Sequence, residues 1–479
     1  MIAFLKATYH NNKVFIVTFF ISILCYTIYL AFRGFGWDGD SFISASQYQK
    51  LIGSDLYGMI DGGAHPKILS VLLFGIIYQL SGGFYILTIL AILLNTLMIM
   101  TIILWINKEK GIWIIALIGI LMNIPWTKIV VNCDNPAFSI PFIIFGLYYI
   151  SKDKIMEGTI FLVVSSLFRS GAEFIIIIIF LKHLYNKNLY NTIILGFAFV
   201  LTALHTYWGY LLIYPSKELF WKLAWEFITT PDSIAQYQYS LKAFIPYLSS
   251  IMKQLFNKYS ILFIIPSIWG TIRLFKTNNS LRYILLIPVA SFILPISSFL
   301  YGTAHTILET KHMGYTILLP VLAALSVDNS LLNKIGFKIK VFLTSGIFLV
   351  VILFSAITGN LKKGEYEAHI NGTGTIGWTN FPDIKYDVKS TFPSEKIDIL
   401  TAYEYLTFII LDIGKYAKNI NVIKTEMEFN ISTIEKYNLI VIPKVWYGDS
   451  SRVSNIGYTI IPNNNNYVYY ISPHKLLNQ

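Results

Sequence analysis

Long apolar runs alternate with short polar breaks from Val14 to about residue 358. Read as helices, the runs predict spans at 14–32, 66–81, 84–106, 157–168, 172–185, 190–214, 260–275, 281–300, 313–327 and 339–358, and one more opened by Asp134 and ending at Tyr148-Tyr149. That makes about eleven crossings, since roughly 20 apolar residues carry a helix through a bilayer. The run 111–127 is short and holds Pro125. It is expected as a re-entrant hairpin buried in protein. The stretch 157–185 allows two readings. Two short crossings put Lys152 and Lys154 inside and Asp134 outside, whereas one long helix puts Asp134 inside. We adopt the first. The opening run has no small-residue cleavage site, so it reads as a retained signal-anchor. Beyond about residue 360 the chain turns polar, with apolar strands expected at 397–400, 420–423 and 439–442 and a helix at 403–416. That order predicts a small α/β domain. It carries no Gly-rich phosphate loop, and a lid or docking platform fits it better than a second active site.

The expected class is therefore an α-helical polytopic membrane protein with a small C-terminal extracytoplasmic α/β domain. Its membrane module covers 1–360, with external loops at 33–65 and 215–259, and the tail covers 361–479. Composition agrees. Hydrophobic residues make up 55% of the chain and charged ones 13%, against about a quarter charged in a soluble domain. The net charge of +11 would suggest a nucleic-acid partner in a soluble protein. Here the excess sits in short loops, as at Lys334, Lys338 and Lys340, so it reads as a positive-inside bias, and no nucleic acid is expected. The same rule puts Lys6, Lys13 and the N-terminus in the cytoplasm and the tail outside. Of the two cysteines, Cys25 lies inside the first run, which argues against a disulfide with Cys133.

The first external loop holds the densest candidate chemistry, Trp37-Asp38-Gly39-Asp40-Ser41-Phe42. Carboxylates at membrane depth are costly and usually functional. Asp38 and Asp40 suit either a general base for an acceptor hydroxyl or a solvated loop with helix-capping aspartates. The loop closes on His65-Pro66-Lys67, where a cation meets the lipid phosphates or simply snorkels. Arg169 in Ser165–Glu173 either contacts phosphate or pairs with Glu173 one turn on. Lys311 and His312 are further cation candidates, with an ion pair to Glu309 as the alternative for Lys311. His205 and His305 read as hydrogen-bonded structural residues. No repeated Asp/Glu pattern suggests a divalent ion, so no metal and no cofactor are expected.

In their order these motifs resemble the GT-C superfamily of membrane glycosyltransferases. Asp40-Ser41-Phe42-Ile43-Ser44 is similar to its acidic-aromatic signature, and His65-Pro66-Lys67 stands where many members carry a Lys-Pro-Pro stretch. Asp134-Asn135-Pro136-Ala137-Phe138 resembles its second acidic motif, and Tyr315–Ser326 its late Tyr-Pro-rich helix. The second proline of the Lys-Pro-Pro pattern is absent, and Gly39 splits the acidic pair. The resemblance implies an enzyme that moves a sugar, with inversion, from a polyprenyl-phosphate donor to a glycan or lipid-linked acceptor at the external face of a bacterial inner membrane. It implies Asp40, or else Asp38, as base, with His65, Lys67, Asp134, Arg169, Lys311 and His312 binding substrate. Two other readings stand beside it. A surface-polysaccharide polymerase or O-antigen ligase would carry its large loop late in the chain, yet 301–312 is short. A transporter or flippase would show paired halves and midplane charges.

Overall fold

The computed structural model describes residues 13–33, 39–52, 67–81, 84–106, 112–169, 171–213, 245, 249, 261–277, 280–290, 318–327, 334–336, 338–343, 346–347, 350, 397–402, 417–423, 436–443, 459–460 and 467–471. These fall in two compact units, each described by itself. One comprises Met1–Gly34, Lys67–Leu69 and Tyr85–Leu361, the other Phe35–Pro66, Ser70–Phe84 and Lys362–Gln479.

The first unit is helical. Helix α1 (Lys13–Arg33) is bounded by basic residues. Its buried face carries Phe15, Thr18, Ser22, Cys25, Tyr26 and Tyr29, while Ile16, Phe20 and Leu24 are exposed. A soluble helix does the reverse, turning its polar face outward. Within this unit follow α4 (Tyr85–Ile106), α5 (Trp113–Leu121), α6 (Ile124–Val131), α7 (Asn135–Ile150), α8 (Ile155–Phe168), α9 (Ala172–Tyr185), α10 (Leu189–Ile213), α11 (Ile261–Thr277) and α12 (Leu319–Ser326). Helix α10 repeats the inverted pattern: Leu189, Ile193, Phe197, Val200 and Leu204 are exposed, and Thr192, Thr202 and His205 are buried. Among the described residues, two helices, Val14–Ala31 within α1 and α4 at Tyr85–Ile106, are long and apolar enough to cross a membrane, and the other apolar stretches, such as Asn135–Ile150 and Leu189–His205, are shorter.

Helix α4 is the spine, packing against α1, α7 and the short helices α5 and α6. The stretch read as a re-entrant hairpin is α5 and α6. Asn123 separates them, caps α6 by accepting from the Trp126 N–H at 3.2 Å, and precedes Pro125 in its first turn. Helices α7 and α8 form a hairpin whose close approach depends on glycine. A Cβ on Gly158 would lie 2.5 Å from the Ile150 side chain and 2.6 Å from the Gly146 carbonyl. Phe142 stacks on Phe161 and Phe168 across the same interface. The stretch 157–185 is two separate helices rather than one continuous rod, and α10 packs along both.

In the second unit, the loop expected at 33–65 contains a helix, α2 (Gly39–Leu51). Its buried positions are small and polar: Ser41, Ser44, Ala45, Ser46 and Gln47. Tyr48 of α2 lies over Gly75 of α3 (Ile68–Ser81). The tail forms a five-stranded mixed sheet from β1 (Ile397–Ala402), β2 (Ala417–Ile423), β3 (Leu439–Pro443), β4 (Thr459–Ile460) and β5 (Tyr467–Ile471), in the order β2-β1-β3-β5-β4. The three expected strands run parallel at its centre and edge. The sequence reading lacked β4 and β5, which add antiparallel to β3. The predicted helix at 403–416 and almost all of the loop 215–259 lie outside the described residues.

Candidate functional site

The site begins with a break in a helix. Helix α8 stops at Phe168, and Arg169 is fully extended at φ −160° and ψ 140°. Gly171 then takes φ +136°, a conformation that glycine adopts without the Cβ penalty, and α9 starts at Ala172. Glu173 folds back over this break. Its Oε2 accepts from the Ser166 hydroxyl at 2.9 Å and from the Gly171 N–H at 2.8 Å. An acid in the first turn of α9 also meets the positive end of the helix dipole.

Lys67 enters from elsewhere in the chain, half-buried and immediately before α3. Its Nζ lies 3.5 Å from His205 Nε2. The ammonium also interacts electrostatically with Glu173, favourably, and with Arg169, unfavourably. His205 is buried, and its Nδ1 donates to the Thr202 carbonyl within the same turn of α10. With Nδ1 carrying the proton, Nε2 presents a lone pair, so Lys67 donates to it. Among the described residues, two cations, Lys67 and Arg169, thus meet the Glu173 carboxylate. Cations of this kind make strong charge-assisted hydrogen bonds to phosphate oxygens.

Asp134 sits at the same end of the α7–α8 hairpin as Arg169, because Phe138 stacks on Phe168 with centroids 5.5 Å apart. It is 3% exposed, has extended backbone, and occupies the N-cap position of α7. The preceding turn is tight: Cys133 has φ +56° and its sulfur meets the Thr88 hydroxyl at 3.0 Å.

The structure therefore brings Lys67 and Arg169 together and sets Asp134 at the same helix ends. Asp40 is described in its backbone alone, in the first turn of α2. Asp38, His65, Lys311 and His312 lie outside the described residues. Glu173 and His205, read from sequence as an ion-pair partner and a structural histidine, both belong to the cluster. Their single sequence signal is a lone charge or imidazole within an otherwise apolar run.

No protein-family model matches the sequence, and no curated protein matches it. Among solved structures, the chain is similar to ArnT from Cupriavidus metallidurans in the apo state, with a TM-score of 0.59 at 10% identity. It is also similar to the same protein bound to undecaprenyl phosphate, with a TM-score of 0.54 at 10% identity. Both matches cover 95% of this chain and 97% of the other. Over nearly its whole length the chain is therefore similar in fold to ArnT.

Proposed function

We propose that the chain is a membrane glycosyltransferase that moves a sugar from a polyprenyl-phosphate donor to a hydroxyl of a cell-surface glycan or lipid-linked acceptor on the extracytoplasmic side. The observation that carries this reading is the Lys67–His205–Arg169–Glu173 cluster within the fold of a protein solved with undecaprenyl phosphate bound. In the proposed reaction Asp40 takes the acceptor's hydroxyl proton, with Asp38 as the alternative base. The acceptor oxygen then bonds to the anomeric carbon from the face opposite the phosphate, which inverts that carbon. The bond from the anomeric carbon to the phosphate oxygen breaks, and polyprenyl phosphate leaves with the electron pair. Lys67 and Arg169 stabilise the charge that grows on it, the kind of preorganised electrostatic contribution that dominates many transfer reactions. His65, Lys311 and His312 are proposed as further donor contacts, and Asp134 as a substrate-binding carboxylate.

The test is sugar transfer from a defined polyprenyl-phosphate donor by purified protein in detergent. A general base contributes about 10²–10⁴-fold in rate. Asp40→Asn keeps the shape of the side chain but cannot take the proton, so transfer should fall by at least about 100-fold with insertion and monodispersity unchanged. Asp38→Asn should show a smaller loss. Near wild-type transfer by both variants and by the double variant removes the base from this loop. Movement of a solute or lipid across vesicles with no sugar transfer by the wild type removes the glycosyltransferase reading itself.

A further inference from the structure

A second cluster of basic groups lies where α11 and α12 run side by side. The Ser267 hydroxyl of α11 donates to the Leu319 carbonyl of α12 at 2.7 Å. Farther along, Arg273 Nη1 donates to the Leu325 and Val327 carbonyls at 3.2 and 3.1 Å, closing the C-terminal end of α12. Arg282 does the same for α11, donating from Nε to the Leu274 carbonyl at 3.1 Å and from Nη2 to the Phe275 carbonyl at 2.6 Å. Helix C-termini carry partial negative charge and repel anions. The two guanidiniums offset both of them, and Lys276 stands beside them, exposed, with no ion pair among the described residues.

Between these ends is a cleft of about 390 Å³, lined among the described residues by Trp269, Ile272, Arg273, Lys276 and Ser326. Ser326 donates its hydroxyl to the Ala323 carbonyl, so it shapes the cleft and supplies no donor to it. Away from the basic end, Ile265 and Ile268 extend Trp269 and Ile272 into an exposed stripe at i, i+3, i+4, i+7 spacing, and Phe275 continues it beside Lys276, with Ile265 79% and Trp269 61% exposed. One feature alone would mean little, since a lipid-facing helix is expected to be apolar. The combination is more specific: an apolar track that includes an indole leads into a cleft lined by two cationic side chains, Arg273 and Lys276.

We propose that this cleft holds an anionic glycerophospholipid, its phosphate on Lys276 and on the Arg273 N–H groups not directed at α12, its acyl chains along the Ile265–Phe275 stripe. Charge complementarity selects the headgroup, and the stripe selects a lipid over a free anion. The site is separate from the Lys67 cluster and stands or falls independently of the donor chemistry.

Native mass spectrometry of the full-length protein, released from detergent with defined lipids, tests it. Phosphatidylglycerol should be retained in preference to phosphatidylcholine. A basic residue near anionic lipid contributes about fivefold in binding, so Lys276→Gln should lower phosphatidylglycerol retention by about that factor and leave phosphatidylcholine unchanged. Trp269→Ala should weaken long-chain phosphatidylglycerol more than a short-chain analogue. Equal retention of the two headgroups, or unchanged retention in Lys276→Gln, overturns the proposal. Displacement of phosphatidylglycerol by millimolar inorganic phosphate also overturns it, because the cleft would then be a site for a free anion.

Discussion

His205 accepts the Lys67 ammonium on one ring nitrogen because the other is committed to the Thr202 carbonyl. In the proposed reaction that arrangement makes it a positioning residue, one that orients Lys67. His205→Leu should therefore raise the KM for the polyprenyl-phosphate donor by about tenfold, the lower end for a hydrogen bond to a charged group, and leave kcat within a few-fold. His205→Gln, which keeps an acceptor at similar reach, should restore most of the loss. A fall in kcat with unchanged KM, unrelieved by glutamine, would assign His205 to the chemistry or to the packing of α10 instead. At this scale the sequence carried about half of the cluster. Lys67 was legible from its place at the mouth of a predicted span, and Arg169 from being a cation inside an apolar run. The imidazole was not, since a lone histidine on a long apolar helix has no spacing partner. Its contact lies 138 residues away in the chain.

Among the elements, the hairpin of α7 and α8 sets where Asp134 and Arg169 end up. Its two helices approach closely at Gly146 and Gly158, and any Cβ at 158 strikes the Gly146 carbonyl, which is backbone and cannot swing away. Gly158→Leu should force the hairpin apart, costing about 1–3 kcal/mol as overpacking typically does. In detergent this would register as a lower thermal midpoint and lost transfer activity, with Gly158→Ala between it and the wild type. An unchanged midpoint in Gly158→Leu would show that the interface yields more easily than its backbone contact implies. Most helices were legible as apolar runs, and their observed ends fall within a few residues of the predicted ones. Helix α2 was not legible, because Gly39–Leu51 is built from small and polar residues with no apolar repeat to mark it. Strand β4 was missed for a different reason: two residues, Thr459 and Ile460, gain their strand character from pairing with β5 rather than from any local pattern.

For the whole molecule, the arrangement of basic loops gives an orientation that can be measured directly. The lysines at 334, 338 and 340 precede the last apolar run, so the tail with its mixed sheet is expected outside the cytoplasm. Alkaline phosphatase fused after Gln479 should be active, and a reporter that works only in the cytoplasm should be silent at the same position. The opposite pair of results would reverse the assignment and put the base proposed at Asp40 on the wrong side for a lipid-linked donor.

Helices α1 and α10 turn hydroxyls and an imidazole inward and aliphatic side chains outward, and this has a calorimetric consequence. In the expected bilayer setting those aliphatic stripes stay in hydrocarbon whether the helices are assembled or apart, so separating the bundle hydrates little new apolar surface. The large positive heat-capacity increment of soluble-domain unfolding arises from just such hydration. Disassembly of this bundle in a bilayer should therefore carry a small increment, with an enthalpy that changes little with temperature. Its stability curve would be nearly straight, with no cold limit near the freezing point of water. Cohesion would rest on packing and on contacts such as Ser139 with Ser165, rather than on the expulsion of water.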